Sequence, residues 1–211
     1  SPGAKLDEQK ALKIAQTYNL FICSIILNSS GWTLENGHRM IIATMGISLD
    51  GTNRNKIGEV AEGRVRRLVV EWAMEHQLVS APPLTAESID EGLPNSFELT
   101  GNIQMTFSSE PDIAFRRGAE LLAVVEIKGG IDPAGALERY GAAQKSFSEA
   151  VAQSPHCKTF YLTAVTTAEL AARIARDRLV EKTYNIIDLL SDLEIREAFL
   201  LELFHHTLRI T

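Results

Sequence analysis

Ser109-Glu110-Pro111-Asp112-Ile113 is followed by Val124-Val125-Glu126-Ile127-Lys128, with thirteen residues between Asp112 and Glu126. Apolar residues at 113, 124, 125 and 127 predict strands, and Arg117-Gly118-Ala119-Glu120 between them offers a hairpin turn. Side chains alternate along a strand, so Glu126 and Lys128 share a face, and Asp112 can reach that face across the hairpin. A strand that is otherwise apolar gains nothing from a carboxylate and an ammonium at its end, because burying either one unpaired is costly. Two carboxylates and a backbone carbonyl make a hard oxygen site for Mg²⁺. A neighbouring lysine can then orient or deprotonate a water, which is the apparatus of phosphodiester hydrolysis. Spacing alone leaves a second reading open, in which Glu126 and Lys128 sit at an exposed strand end and face solvent or pair with each other.

Outward from this hairpin, Phe97, Leu99, Ile103, Met105 and Phe107 add strand-like residues and predict a three-stranded antiparallel meander. Upstream, Ile57, Val60, Ala61, Val65, Leu68, Val69, Trp72 and Ala73 recur at spacings of three and four, a long amphipathic helix ending near His76. Between helix and meander, Ala81-Pro82-Pro83 opens a polar loop that runs to Asn95. Downstream, Asp132-Pro133 predicts an N-cap and first-turn proline for a helix reaching Ser154-Pro155. Thr159 to Val165 reads as a buried strand, and Thr166 or Thr167 caps a helix from Ala168 to Arg176. Thr183 to Ile187 is a candidate last strand before one C-terminal helix from about Asp188 to His206. At the other end, Lys5 to Ser29 reads as one or two helices. Gly31 to Asn55 is rich in Gly, Asn, Thr and Asp, with a run at Met40 to Ile47 that fits either a strand or a helix. The expected class is α/β, a mixed sheet in which a meander is joined to a strand reached by a helical crossover.

The chain has 211 residues, 45% hydrophobic and 23% charged, which fits one globular core: residues 1–56 as a helical and loop subregion and 57–211 as the main domain. No apolar stretch is long enough for a membrane helix, and no signal-like segment follows Ser1-Pro2-Gly3, so a cytoplasmic protein is expected. Twenty-one basic against 27 acidic residues, a net charge of -6, excludes a protein that coats nucleic acid by overall charge and leaves room for a locally basic cleft. Cys23 and Cys157 make no disulfide framework, and the five histidines have no zinc spacing. No phosphate-binding glycine loop stands between a strand and a helix, so no nucleotide cofactor is expected.

Pro111-Asp112 and Glu126-Ile127-Lys128, in this order of helix, meander, helix and strand, resemble the PD-(D/E)XK nuclease superfamily. The stretch from Glu126 through Gly129-Gly130-Ile131-Asp132-Pro133 to Phe147 resembles type II restriction endonucleases, above all the XcyI type. The likeness covers about the second half of the chain, with less to match before Gly51. It implies a restriction-endonuclease-like αβββαβ core flanked by helices, with an N-terminal helical segment. It also implies a bacterial, Mg²⁺-dependent enzyme that hydrolyses duplex DNA at a short palindrome, CCCGGG for the namesake, as a homodimer. A structure-selective repair or junction-resolving nuclease of the same fold and a catalytically silent DNA-binding module are the alternatives.

Within the resemblance, Asp112 and Glu126 are the metal-binding carboxylates, the Ile127 carbonyl is a further ligand, and Lys128 activates water or steadies the phosphate. A glutamate from the preceding helix often completes such sites. Glu62 lies beside the Val65, Val69 and Ala73 edge of the apolar face and is preferred, whereas Glu59 points further outward. A solvated glutamate paired with Arg66 is the other possibility for either. For DNA contacts, Arg54, Asn55 and Lys56 lie in a polar stretch with side chains that suit base edges. Arg116 and Arg117 lie at the hairpin, and Arg139 and Lys145 on the helix after Lys128. For the 53–56 stretch, an ordinary surface loop is an equal alternative.

Overall fold

The computed structural model describes residues 8–28, 31, 33–83 and 92–210. The chain divides into two compact units, Ser1–Gly51 and Thr52–Thr211. The first contains helix α1 (Glu8–Asn28) and the beginning of helix α2 (Leu34–Glu75). Thr33 caps α2, its hydroxyl accepting from the Asn36 N–H at 3.2 Å. The run at Met40 to Ile47 is helical, and so is the stretch 51–56 that was expected to be a loop. Asn, Thr and Gly each disfavour a helix by only about 0.5–1 kcal/mol relative to Ala. With no proline between Thr33 and Glu75 the helix continues through them. Among the described residues, no helix is long and apolar enough to cross a membrane.

The second unit is built on a seven-stranded sheet in the order β1-β2-β3-β4-β5-β6-β7. The strands are β1 (Val79–Ala81), β2 (Ser96–Leu99), β3 (Ile103–Phe107), β4 (Ile113–Arg117), β5 (Glu120–Lys128), β6 (Lys158–Thr163) and β7 (Lys182–Asn185). Strands β1 to β5 pair antiparallel, and β5, β6 and β7 pair parallel. The mixed α/β sheet flanked by helices agrees with the expected class. The expected three-stranded meander has more strands than predicted. A 3-10 turn at Thr100–Asn102, with Gly101 at φ 73°, separates β2 from β3, and Val79–Ala81 adds an edge strand where only a loop was expected. A positive φ is cheap for glycine, and that allows the tight turn.

Helix α3 (Ala136–Gln153) connects β5 to β6 and starts later than Asp132-Pro133 suggested. The Asp132 carboxylate accepts from the N–H groups of Ala134 and Gly135, both at 3.2 Å, so it caps a turn and leaves Gly135 as the helix N-cap. The C-terminal helix is also interrupted. Asn185 ends β7 and caps α5 (Ile186–Ser191), and Asp192 caps α6 (Leu193–Leu201), which runs into a π-helical turn at Glu202–Thr207. Thr167 caps α4 (Ala168–Ile174), as expected.

Each face of the sheet carries its own core. On one, Val65, Val69 and Trp72 of α2 meet Met105, Phe115, Val125 and Phe160, together with Phe199 and Phe204 from the C-terminal helices. On the other, Tyr140, Ala143 and Phe147 of α3 cover Val124 and Tyr161. Each fully buried side chain of this size contributes about 1.5–3 kcal/mol. Because both faces are covered, β5 is buried from Ala123 to Ile127, and its carboxyl end opens where the helices begin.

Candidate active site

Asp112 and Glu126 are 4% and 1% exposed, on adjacent strand ends that face α3. Lys128 lies between them, its Nζ donating to Glu126 Oε2 at 2.5 Å and to Asp112 Oδ2 at 3.2 Å. Asp112 Oδ2 also accepts from the Ile127 N–H at 2.7 Å, which couples the loop before β4 to the end of β5. Burial drives Glu126 above the ordinary carboxylate range, with Lys128 and the Ser146 hydroxyl on α3 pulling the other way. For Lys128, burial works against the ammonium, yet Asp112 and Glu126 outweigh it and keep the group protonated beyond its usual range. The alternative reading of Glu126 and Lys128 is met in their pairing with each other but not in its exposed strand end, because the pair is buried.

Two contacts hold this constellation in place. Arg66 of α2 donates to the Ser108 carbonyl at 2.7 Å and lies over the Phe107 ring, while the Ser108 hydroxyl donates to the Pro111 carbonyl at 2.6 Å. The loop that carries Asp112 is thus clamped to the helix. At the end of β5, Gly129 lies against α2 so closely that a Cβ there would stand 2.5 Å from Ala61 Cβ and 3.0 Å from the Gly58 carbonyl oxygen. Gly58 and Ala61, three apart on one helix face, are the small residues that permit this approach. We expect Gly129→Ala to cost about 1–3 kcal/mol through overpacking and to slow catalysis by displacing α2. Thermal melting measures this, and an unchanged melting temperature would refute the contact.

The close approach brings Glu59 and Glu62 to the rim of a cleft of about 740 Å³ lined also by Asp112, Ile127, Lys128 and Arg139. Glu62 pairs with Arg66, and burial, then Asp112, raises its pKa. Arg139 lies over Gly130 and Gly135 and donates to the Asp132 carbonyl at 2.5 Å. Lys56 lines an adjoining groove, while the side chains of Arg54 and Asn55 lie outside the described residues. Arg116, Arg117 and Lys145 are not brought to the cleft. Arg117 is five residues along β4 from Asp112, about 16 Å away, and donates to the carbonyls of Gly101 and Leu208. Arg116 donates to Gln153, and Lys145 is exposed near Glu110 and Glu149. The Arg66 clamp, Ser146 and the Gly58–Gly129 contact were not anticipated from sequence. Only the small residues at 58 and 61 opposite a diglycine gave a hint of the last.

A family profile described as XcyI restriction endonuclease matches residues 19–203. The chain belongs to the XcyI restriction endonuclease family. The match extends well before Gly51, further than the resemblance read from the second half. No curated protein and no solved structure gave a match. As a member of the XcyI restriction endonuclease family, the chain is a site-specific deoxyribonuclease with DNA as its substrate.

Proposed function

We propose that this restriction endonuclease is a Mg²⁺-dependent enzyme of PD-(D/E)XK type, working as a homodimer on a short palindrome, CCCGGG for the namesake. The observation that carries the cation is the charge of the cleft. Five carboxylates (Glu59, Glu62, Asp112, Asp132 and Glu138) face two cations, Lys128 and Arg139. Such a surface repels the phosphate at the cutting position until a cation offsets its charge.

The residues fit a hard divalent cation. Glu126 Oε1 is buried and accepts from no protein donor, and Asp112 stands beside it across Lys128. Among the described residues, no group of three or more His, Cys, Asp or Glu side chains gathers around one point. Mg²⁺ commonly takes one or two carboxylates and fills its shell with waters and substrate phosphate. In this reading Asp112, Glu126 and the Ile127 carbonyl hold the ion, with Glu62 or Glu59 at its outer side. When bound, Mg²⁺ offsets charge on the phosphate oxygens and makes water a better nucleophile. Lys128 brings a fixed ammonium to the same oxygens, and Arg139 is placed to orient a phosphate. Two copies of one such site match the two strands of a palindrome.

Incubating the protein with unmethylated phage DNA in Mg²⁺ or in EDTA, then sequencing fragment ends, tests the proposal. Discrete fragments sharing one terminal palindrome are expected in Mg²⁺ and none in EDTA. Intact DNA in both, or cutting in EDTA, would overturn it.

A further inference from the structure

The acidic cleft cannot supply the affinity for DNA, which comes mostly from neutralised phosphates. Cations must therefore lie beside it. A groove of about 490 Å³ shares Gly129 and Ile131 with the cleft and has no carboxylate in its lining. Lys56 and Arg64 of α2 stand on it, eight residues apart along one helical stripe. Both are exposed, and among the described residues neither is hydrogen-bonded or paired with a carboxylate. Between them and α5 the groove is apolar and open to water: Ile57 is 39% exposed, Val60 48%, Ile131 52% and Ile187 56%.

A cationic rim over an apolar floor suits a ligand that is anionic along its edge and apolar along its body. A nucleic-acid strand is such a ligand. A second copy of this chain, at net charge -6, is a poorer match for the cations. The groove also adjoins the acidic cleft, through Gly129 and Ile131. We propose that the groove between α2 and α5 is the second part of the DNA seat. Lys56 and Arg64 take phosphates flanking the cut one, and the apolar floor takes the face of a base turned out of its stack. The proposal rests on the cleft around Asp112, Glu126 and Lys128 being the cutting site.

The test is binding of a labelled random-sequence duplex in EDTA across a salt series, which needs neither cutting nor a known target. Each phosphate contact contributes about 0.9 to the slope of log affinity against log salt. Lys56→Ala and Arg64→Ala should each lower the slope by about one, and the double variant by about two. Ile187→Ala should weaken binding with the slope unchanged. Slopes equal to wild type in both cation variants would overturn the proposal. If sedimentation then shows a dimer lost in those variants, the groove seats a second copy. Unchanged slopes alongside normal Mg²⁺-dependent cutting would sink the groove alone. Lowered slopes in a protein that never cuts would keep the groove and sink the cleavage reading.

Discussion

Lys128→Ala and Asp112→Ala should each reduce DNA cleavage at least a thousandfold, about 4 kcal/mol of transition-state stabilisation, while DNA affinity is largely retained. Among the described residues, Lys128 is the one cation in contact with both buried carboxylates. Asp112 holds the Ile127 N–H as well as Lys128. Its alanine variant therefore also leaves a buried donor unpaired, a cost of about 1–3 kcal/mol in stability. Asp112→Asn preserves the shape and separates the two effects: cleavage should stay lost while most of the stability returns. Single-turnover cleavage and thermal melting on the same samples measure both. Unchanged turnover in either alanine variant would refute the site.

Glu126→Gln should also abolish cleavage, yet it should make the metal-free protein more stable at pH 8. Burial, opposed by Lys128, raises the pKa of Glu126 from its ordinary 4.5. Glu62 moves the same way, through burial and then Asp112. A carboxyl whose pKa is raised in the folded state binds its proton more tightly there than in the unfolded chain. Its contribution to stability is complete below 4.5 and is lost as pH rises through the folded value. In EDTA these two groups therefore make the melting temperature fall as pH rises above 4.5. Glu126→Gln removes the part of that fall that Glu126 contributes. At pH 8 it should therefore raise the melting temperature above that of the wild type. Mg²⁺ should stabilise the wild type and leave the variant unmoved. A variant that melts below wild type in EDTA at pH 8 would mean that Glu126 is held by its ion pair and is not in tension with its surroundings.

Both experiments bear on residues already visible in the linear order of the chain. Asp112, Glu126 and Lys128 were legible because a two-residue period places charges on a face, and because apolar neighbours make such charges expensive. The sheet class followed from the same alternation and from the helical periods around it. Element ends were less legible. Asp132 could cap a helix or a turn, and its two backbone donors at Ala134 and Gly135 decide for the turn. Gly101 and Asp192 divide segments whose hydrophobic pattern runs straight through them.

The sequence by itself determined the identity of the charged residues and the strands that carry them, since both depend on neighbours two to four positions apart. Only the tertiary structure decided what surrounds them. Glu59 and Glu62 reach the cleft because Gly58 and Ala61 let α2 close on Gly129, a contact some seventy residues distant in sequence. Arg66, legible as a partner for a helix glutamate, also clamps Ser108, and Arg117 turned from a candidate DNA contact into an anchor for Leu208. The Arg66 and Arg117 contacts depend on packing between segments far apart in the chain, which local periodicity does not encode.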